Sequence, residues 1–260
     1  MLARIDYVDG YYVKRCDLLE YGGAYGGKSE GAFNIIQDGI QKGYTDFVTV
    51  GSRFSPQCDI VSKICSSLGV KCFLFMPSGK DTSVTLNIKK RANCEIIDTL
   101  KQGSYTNVLI SRAMNYSKVH NKYFIPFGML CKKNIDIVAK QVYNIPECVH
   151  RVVVPVGSGC TMLGIIQGLN EIRRTDVEVI GVITGSSNSK KVINNLVPKL
   201  FNKVSYKIVD YISGVKPKYV YTTRTNECVG AIKLDPIYEG KCKKFLKPGD
   251  LLWIVGYHNI

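Results

Sequence analysis

The sequence predicts an α/β fold of open, mostly parallel twisted sheets flanked by helices. Three observations point there. Short β-rich runs alternate with helix-period segments along most of the 260 residues. Several of those runs end in glycine just before a helical segment, as strand-to-helix turns do. Runs such as "VKCFLFMP" and "HRVVVPVG" are continuously apolar rather than alternating, which marks strands covered on both faces. Crossovers between such strands are right-handed, and ligands sit where strand carboxyl ends lead into helices.

Taken in order, the Tyr-rich start with Tyr7, Tyr11 and Tyr12 suits an edge strand. "SEGAFNIIQDGIQKG" spaces Phe33, Ile36 and Ile40 as one helical face. "TDFVTVG" is a strand ending in glycine, and "PQCDIVSKICSSLG" is a helix that stops at Gly69. "VKCFLFMP" follows as strand, "TSVTLNIKKRA" as helix and "CEIIDT" as strand. "NKYFIPFG" reads as a strand broken by an X-Pro step, and "NIDIVAKQVYNI" as helix. "HRVVVPVG", "TMLGIIQGLNEIRR" and "VEVIGVIT" make a strand, helix, strand unit. The end of the chain gives a helix around "GAIKLD", a helix over "EGKCKKFL" and a strand in "DLLWIVG".

Composition narrows the class. At 45% hydrophobic residues the chain can bury one large core or two smaller ones. No apolar run reaches the roughly 18 residues of a membrane helix, and the N-terminus lacks the apolar centre of a signal peptide. The ten cysteines form no C-x-x-C pair and no zinc-ligand spacing, so no metal is expected. They read as reduced, largely buried thiols of a cytoplasmic protein. His120, His150 and His258 stand isolated, without an evident acidic partner. The net charge of +14 is the footprint of a protein that meets polyanions, and nucleic acid is the partner it suggests.

Three strand ends carry candidate chemistry. In "VVVPVGSGCTMLGIIQGL" a buried strand runs into Gly157, Ser158, Gly159, Cys160 and Thr161, and a helix follows at once. Glycines expose backbone N–H groups, the helix contributes its positive end, and two hydroxyls add donors; together these form a phosphate cradle. The spacing is neither a Walker loop nor GxGxxG, since Gly164 falls too late. In "VTVGSRFSPQCDIVSKI", Ser52, Ser55 and the first N–H groups of the helix can hold a carboxylate, although an ordinary loop explains them as well. In "LDPIYEGKCKKFL", Tyr238 and Glu239 enter a short helix, which by itself reads only as a capped helix start. A further segment, "EYGGAYGGKSEGAF", packs four glycines into residues 22–27, just ahead of Lys28.

These pieces, in this order, resemble the pyridoxal-phosphate enzymes of the tryptophan synthase β-like class, fold type II. The nearest branch looks like 1-aminocyclopropane-1-carboxylate deaminase and D-cysteine desulfhydrase. "YYVKRCDLLEYGGAYGGKSEGAFNII" resembles that branch's opening, with its "VKRxDL" strand and cofactor lysine. "VTVGSRFSP" sits where the branch has "IGGxQSN", "YFIPFGM" where it has "YxIPxGG", and "KLDPIYEGK" is similar to "LDPVYxGK". The resemblance spans most of the chain. It implies two open sheets: residues 1–44 and 122–260 as a larger cofactor-binding domain, and 45–121 as a smaller one.

The resemblance also implies roles. Lys28 would bear pyridoxal 5'-phosphate as a Schiff base. Gly157, Ser158, Gly159, Cys160 and Thr161 would bind its phosphate, and Glu239 would face the pyridine nitrogen. Tyr238 would lie beside the ring or move protons, and Ser55 would touch the substrate carboxylate or assist the chemistry. Members usually pair as homodimers. Departures are specific: Pro56 replaces the branch's asparagine, Ser52 a glycine, and Cys160 the third glycine of the phosphate loop. Cofactor use is therefore better supported than cyclopropane opening or desulfhydration.

Three functions follow. One is a lyase or deaminase acting at the α-carbon of a free small amino acid. Another acts on an amino-acid-type group carried on nucleic acid, as in DNA base hypermodification, to which the +14 charge speaks. The third is a non-catalytic binding module on a decayed fold, against which the intact Lys28 and Glu239 argue.

Overall fold

The computed structural model describes residues 1–100, 106–185, 188–200, 203–212 and 217–256. His258 lies outside them.

Along the chain run β1 (Ile5–Val8), β2 (Tyr11–Lys14), β3 (Glu20–Tyr21), β4 (Ala24–Tyr25), α1 (Ser29–Gln41), β5 (Asp46–Val50) and α2 (Pro56–Ser67). Then come β6 (Lys71–Pro77), α3 (Ser83–Lys89), β7 (Cys94–Leu100), α4 (Thr106–Val119) and β8 (Tyr123–Phe124). The second half holds α5 (Lys132–Lys140), β9 (Arg151–Val156), α6 (Cys160–Glu171), β10 (Glu178–Ile183), α7 (Asn188–Leu200) and β11 (Tyr206–Asp210). It ends with α8 (Pro217–Thr222), β12 (Cys228–Val229), β13 (Ile232–Lys233), a 3-10 turn at Glu239–Phe245 and β14 (Leu251–Trp253). The α/β class with parallel, helix-flanked sheets is as the sequence predicts.

The chain divides into two compact units, Met1–Leu19 with Leu130–Ile260, and Glu20–Met129. The first is built on a six-stranded sheet in the order β1-β2-β14-β9-β10-β11. Only the β1–β2 pair is antiparallel. Val153, Val182, Leu252 and Ile254 pack with Val13 and Leu234 in one core of this unit. Gly164 and Gly168 on α6 serve the close approach of α5: a Cβ on Gly164 would stand 2.5 Å from Val138, and one on Gly168 would stand 2.3 Å from the Ala139 carbonyl oxygen.

The second unit is built on a four-stranded, wholly parallel sheet in the order β7-β6-β5-β8. Val48, Val50, Phe75, Leu109 and Ala113 form a core under α4. The units meet the chain at different points from the expected 44/45 and 121/122 boundaries, because α1 packs with the four-stranded sheet. Gly39 of α1 lies so close to Phe47 that a Cβ would stand 2.5 Å from its ring, and Asp38 accepts from the Tyr123 hydroxyl at 2.7 Å.

In each sheet the strand order reverses once. From β9 the chain moves outward to β10 and β11, with β14 on the other flank; from β5 it moves to β6 and β7, with β8 on the other flank. The carboxyl ends of β9 and β5 are therefore the switch points where an open α/β sheet offers a crevice.

Two expectations are corrected. "GAIKLD" is not a helix: Cys228–Val229 and Ile232–Lys233 form a small antiparallel hairpin turning at Gly230, whose φ is +54°. The "EGKCKKFL" segment coils as 3-10 helix over Glu239–Phe245.

Candidate functional site

In the first unit, β9 delivers the chain to Gly157. Gly159 then caps α6 with φ +93°, the left-handed region that glycine adopts without strain. A Cβ there would also press to 3.0 Å from Ile193 Cγ1. The turn is tied from behind: Ser189 donates its hydroxyl to the Gly157 carbonyl, and Thr184 donates both its N–H, at 3.1 Å, and its hydroxyl, at 3.2 Å, to the Val156 carbonyl. Ser158 and Thr161 are partly exposed. The Cys160 side chain points elsewhere. Its thiol is buried and accepts from Asn134 Nδ2 at 3.2 Å, while its N–H donates to Ser158 Oγ at 3.4 Å within the turn.

Tyr238 and Glu239 belong to the same unit. A Cβ on Gly157 would lie 3.5 Å from Tyr238 Cε1, so this tyrosine flanks the glycine turn. Its hydroxyl is 3.4 Å from that of Tyr221. Burial of the phenol, then Tyr221 and two carboxylates, hold its pKa well above the ordinary tyrosine value, so it stays protonated.

Glu239 is fully buried. Its Oε1 accepts from the Val255 and Gly256 N–H groups at 2.6 and 2.7 Å, whereas its Oε2 has no hydrogen-bond partner among the described residues. Burial, reinforced by nearby Asp235, pushes its pKa up to about 8. Asp235 fixes the approach: its Oδ1 accepts from the Ile237 and Tyr238 N–H groups at 2.8 and 3.0 Å. A carboxylate oxygen left unpartnered in the interior is costly unless a ligand donates to it.

Lys241, two residues on, was not singled out from the sequence. It is fully buried and donates to the Thr184 and Val220 carbonyls, at 3.3 and 2.5 Å, and burial lowers its pKa to about 8.

The second unit carries Lys28 and Ser55. The glycines ahead of Lys28 divide the labour. Gly22 and Gly23, at φ +56° and +74°, form the two-residue turn of the β3–β4 hairpin. Gly26, at φ +115°, redirects the chain so that its carbonyl accepts from both the Ser29 N–H and hydroxyl at the start of α1. Lys28 stands at the N-cap of α1, and its amine donates to the Gly128 carbonyl at 3.0 Å.

Ser55 is the N-cap of α2, with Pro56 in the first turn, yet its hydroxyl makes no capping bond. It meets the thiol of Cys58 instead, and burial raises that thiol's pKa to about 12. Arg53, in the same loop, is buried and donates to the Pro77 and Lys80 carbonyls and to Asp81. His150 turns out to have an acidic neighbour, Asp176 at 3.1 Å, but both are exposed. No helix among the described residues is long and apolar enough to cross a membrane.

These features fit the group that the resemblance implies. The glycine cradle of residues 157–159 suits a phosphate, and the unpartnered Oε2 of Glu239 suits a protonated ring nitrogen. Comparison with known proteins agrees. The family model described as "Pyridoxal-phosphate dependent enzyme" matches residues 2–215. A sequence search of curated proteins finds no match. Among solved structures, an ACC deaminase homologue superposes with a TM-score of 0.78 at 20% identity, covering 98% of this chain and 89% of the other. Diaminopropionate ammonia lyase from Escherichia coli, in complex with an aminoacrylate-PLP azomethine intermediate, gives a TM-score of 0.68 at 11% identity, with 96% and 80% covered. Threonine deaminase isoform 2 from Solanum lycopersicum gives 0.65 at 14% identity, with 99% and 79% covered.

Proposed function

The chain belongs to the family of pyridoxal-phosphate dependent enzymes, with the type II fold, and we propose that it acts at the α-carbon of an amino acid as a lyase or deaminase. The observation that carries this reading is Glu239: a wholly buried carboxylate with one oxygen held by two backbone N–H groups and the other left for a donor. When bound, the cofactor supplies an electron sink for the pair released at the α-carbon.

The chain's own residues do the rest. Gly157, Ser158, Gly159, the Cys160 N–H and Thr161 would hold the phosphate. Glu239 would accept the ring N–H on Oε2, and that positive partner would draw its pKa back down and keep the carboxylate charged. Lys28 would supply the amine that binds the cofactor covalently. Tyr238, protonated and beside the glycine turn, would lie against the ring as a hydrogen-bond donor, and Ser55, its hydroxyl not spent on capping, would contact the substrate.

The ACC deaminase homologue, the threonine deaminase and the diaminopropionate lyase support a free small amino acid as substrate. The net charge of +14 supports a second reading, an amino-acid-type group carried on nucleic acid. Retention on duplex DNA that disappears at physiological salt removes that second reading and leaves the first.

The central test is spectroscopic. Purified protein should absorb visible light as a lysine-bound cofactor does, and borohydride should fix the cofactor to the peptide containing Lys28. Lys28→Ala should lose both signals. A colourless protein that gains no band with added pyridoxal phosphate defeats the proposal.

A further inference from the structure

The carbonyl that receives the Lys28 amine belongs to an unusual turn, Pro126–Met129. Two successive residues there have left-handed backbone, Gly128 at φ +68° and Met129 at φ +52°. Glycine adopts that conformation freely, whereas for an L side chain it costs about 1–2 kcal/mol. Met129 is fully buried, so it takes on this strain in a packed interior. Such strain persists only where the surroundings over-determine the backbone, and it concentrates at functional positions.

The surroundings are two buried polar side chains. Gln57 Nε2 donates to the Pro126 carbonyl at 2.9 Å and to Thr49 Oγ1 at 3.0 Å. Thr49 Oγ1 in turn donates to the Ile125 carbonyl at 3.4 Å. Gln57 is 2% exposed and Thr49 0%. The Ile125 N–H donates to the Val48 carbonyl at 2.8 Å and the Met129 N–H to the Pro126 carbonyl at 2.9 Å, so the turn is anchored at both ends. Burying an amide and a hydroxyl is unfavourable unless their bonds are made. Here they are made to the backbone just ahead of Gly128, at the carboxyl end of β8, beside the switch point of this sheet.

We infer that Gln57 and Thr49 are positioning residues for Lys28: they hold the left-handed Pro126–Met129 turn so that the Gly128 carbonyl takes one N–H of the amine and restricts the direction of its lone pair. The inference rests on the proposed role of Lys28. Condensation of Nζ with the cofactor's aldehyde forms one C=N bond and releases the aldehyde oxygen as water. A misdirected amine slows that step, and errors near 1 Å cost up to about 100-fold.

The test uses the cofactor-free full chain, as wild type, Gln57→Met and Thr49→Val, each mixed with pyridoxal phosphate. Growth of the visible band gives the condensation rate, and circular dichroism of that band at saturation reports the cofactor's orientation. Both variants should condense about tenfold more slowly than wild type and show severalfold weaker visible dichroism. Their thermal midpoints and far-ultraviolet spectra should stay close to wild type. Wild type that develops no band defeats the functional reading itself. Wild type that does, with both variants matching it in rate and dichroism, overturns the positioning role alone. Thr49→Val is nearly isosteric and carries the test where Gln57→Met fails to fold. Loss of fold in both makes the pair structural and likewise overturns the inference.

Discussion

The turn after β9 and the turn after β5 occupy the same topological place, each at the carboxyl end of the strand where its sheet reverses order. Each begins with a glycine and leads into a helix, yet they are built by opposite means. After β9 the backbone does the work. Gly159 takes a conformation that L side chains rarely adopt, the Cys160 N–H turns back to Ser158 Oγ at 3.4 Å, and the side chain of Cys160 is turned away toward Asn134. After β5 the side chains do the work. Gly51 is not in the left-handed region, and its lack of a Cβ makes room for Cys58 and Ser55. Arg53 then fastens the loop to the Pro77–Asp81 segment. A turn made of N–H groups suits a multiply charged anion whatever it is attached to. A turn lined by side chains suits recognition of a particular substrate, and there the departures from the resembled pattern, Ser52 and Pro56, accumulate.

The sharpest way to break the contrast is at Gly159. Gly159→Asp adds left-handed strain of about 1–2 kcal/mol, a Cβ 3.0 Å from Ile193 Cγ1, and a negative charge where a phosphate would sit. Cofactor affinity, measured by titrating cofactor-free protein, should fall by at least about 100-fold. Gly159→Ala keeps the strain without the charge and should fall between Asp and wild type. Equal affinity for all three would mean that this turn is not the phosphate cradle.

Gly51 should respond differently, losing stability before affinity. A Cβ there would stand 2.6 Å from Cys58 Sγ and 2.9 Å from Ser55. Gly51→Ala should therefore lose about 1–3 kcal/mol in urea unfolding, the usual range for overpacking. Adding Cys58→Ala should recover much of that, since the clash is with a side chain rather than with the backbone conformation. No recovery would place the decisive clash at Ser55 rather than at Cys58.

What the sequence made legible follows the same line. The continuous apolar strands and the glycines that end them were readable because both are local, and they located both switch points. The 157–161 cradle and Ser55 were readable from a strand, a glycine and a helix start in succession, whereas Lys28, Tyr238 and Glu239 took roles only from the order of motifs. Two of the four glycines before Lys28 form a hairpin turn, which the sequence did not show because β3 and β4, at two residues each, are too short to carry a pattern. α4 buries only Leu109, Ala113 and Ser117, a stripe too weakly apolar to announce a helix. Gln57 and Thr49 were invisible because a buried polar residue reveals itself only through partners distant in sequence. "GAIKLD" misled because Gly230 and the short flanking strands mimic a helical spacing that long-range pairing overrides.

The smallest expected effect is at Ser55, and it separates two helix starts within one unit. Thr82 caps α3 in full: its hydroxyl accepts from the Thr85 N–H at 3.3 Å, and the Thr85 hydroxyl accepts from the Thr82 N–H at 2.8 Å. Ser55 holds the same position on α2 but makes no capping bond. Thr82→Ala should cost about 1 kcal/mol of stability, while Ser55→Ala should stay within about 0.5 kcal/mol. Urea unfolding of the two variants side by side reads the difference. If Ser55→Ala matched Thr82→Ala, its hydroxyl would be a structural cap in solution, and the proposed contact of Ser55 with a substrate would lose its support.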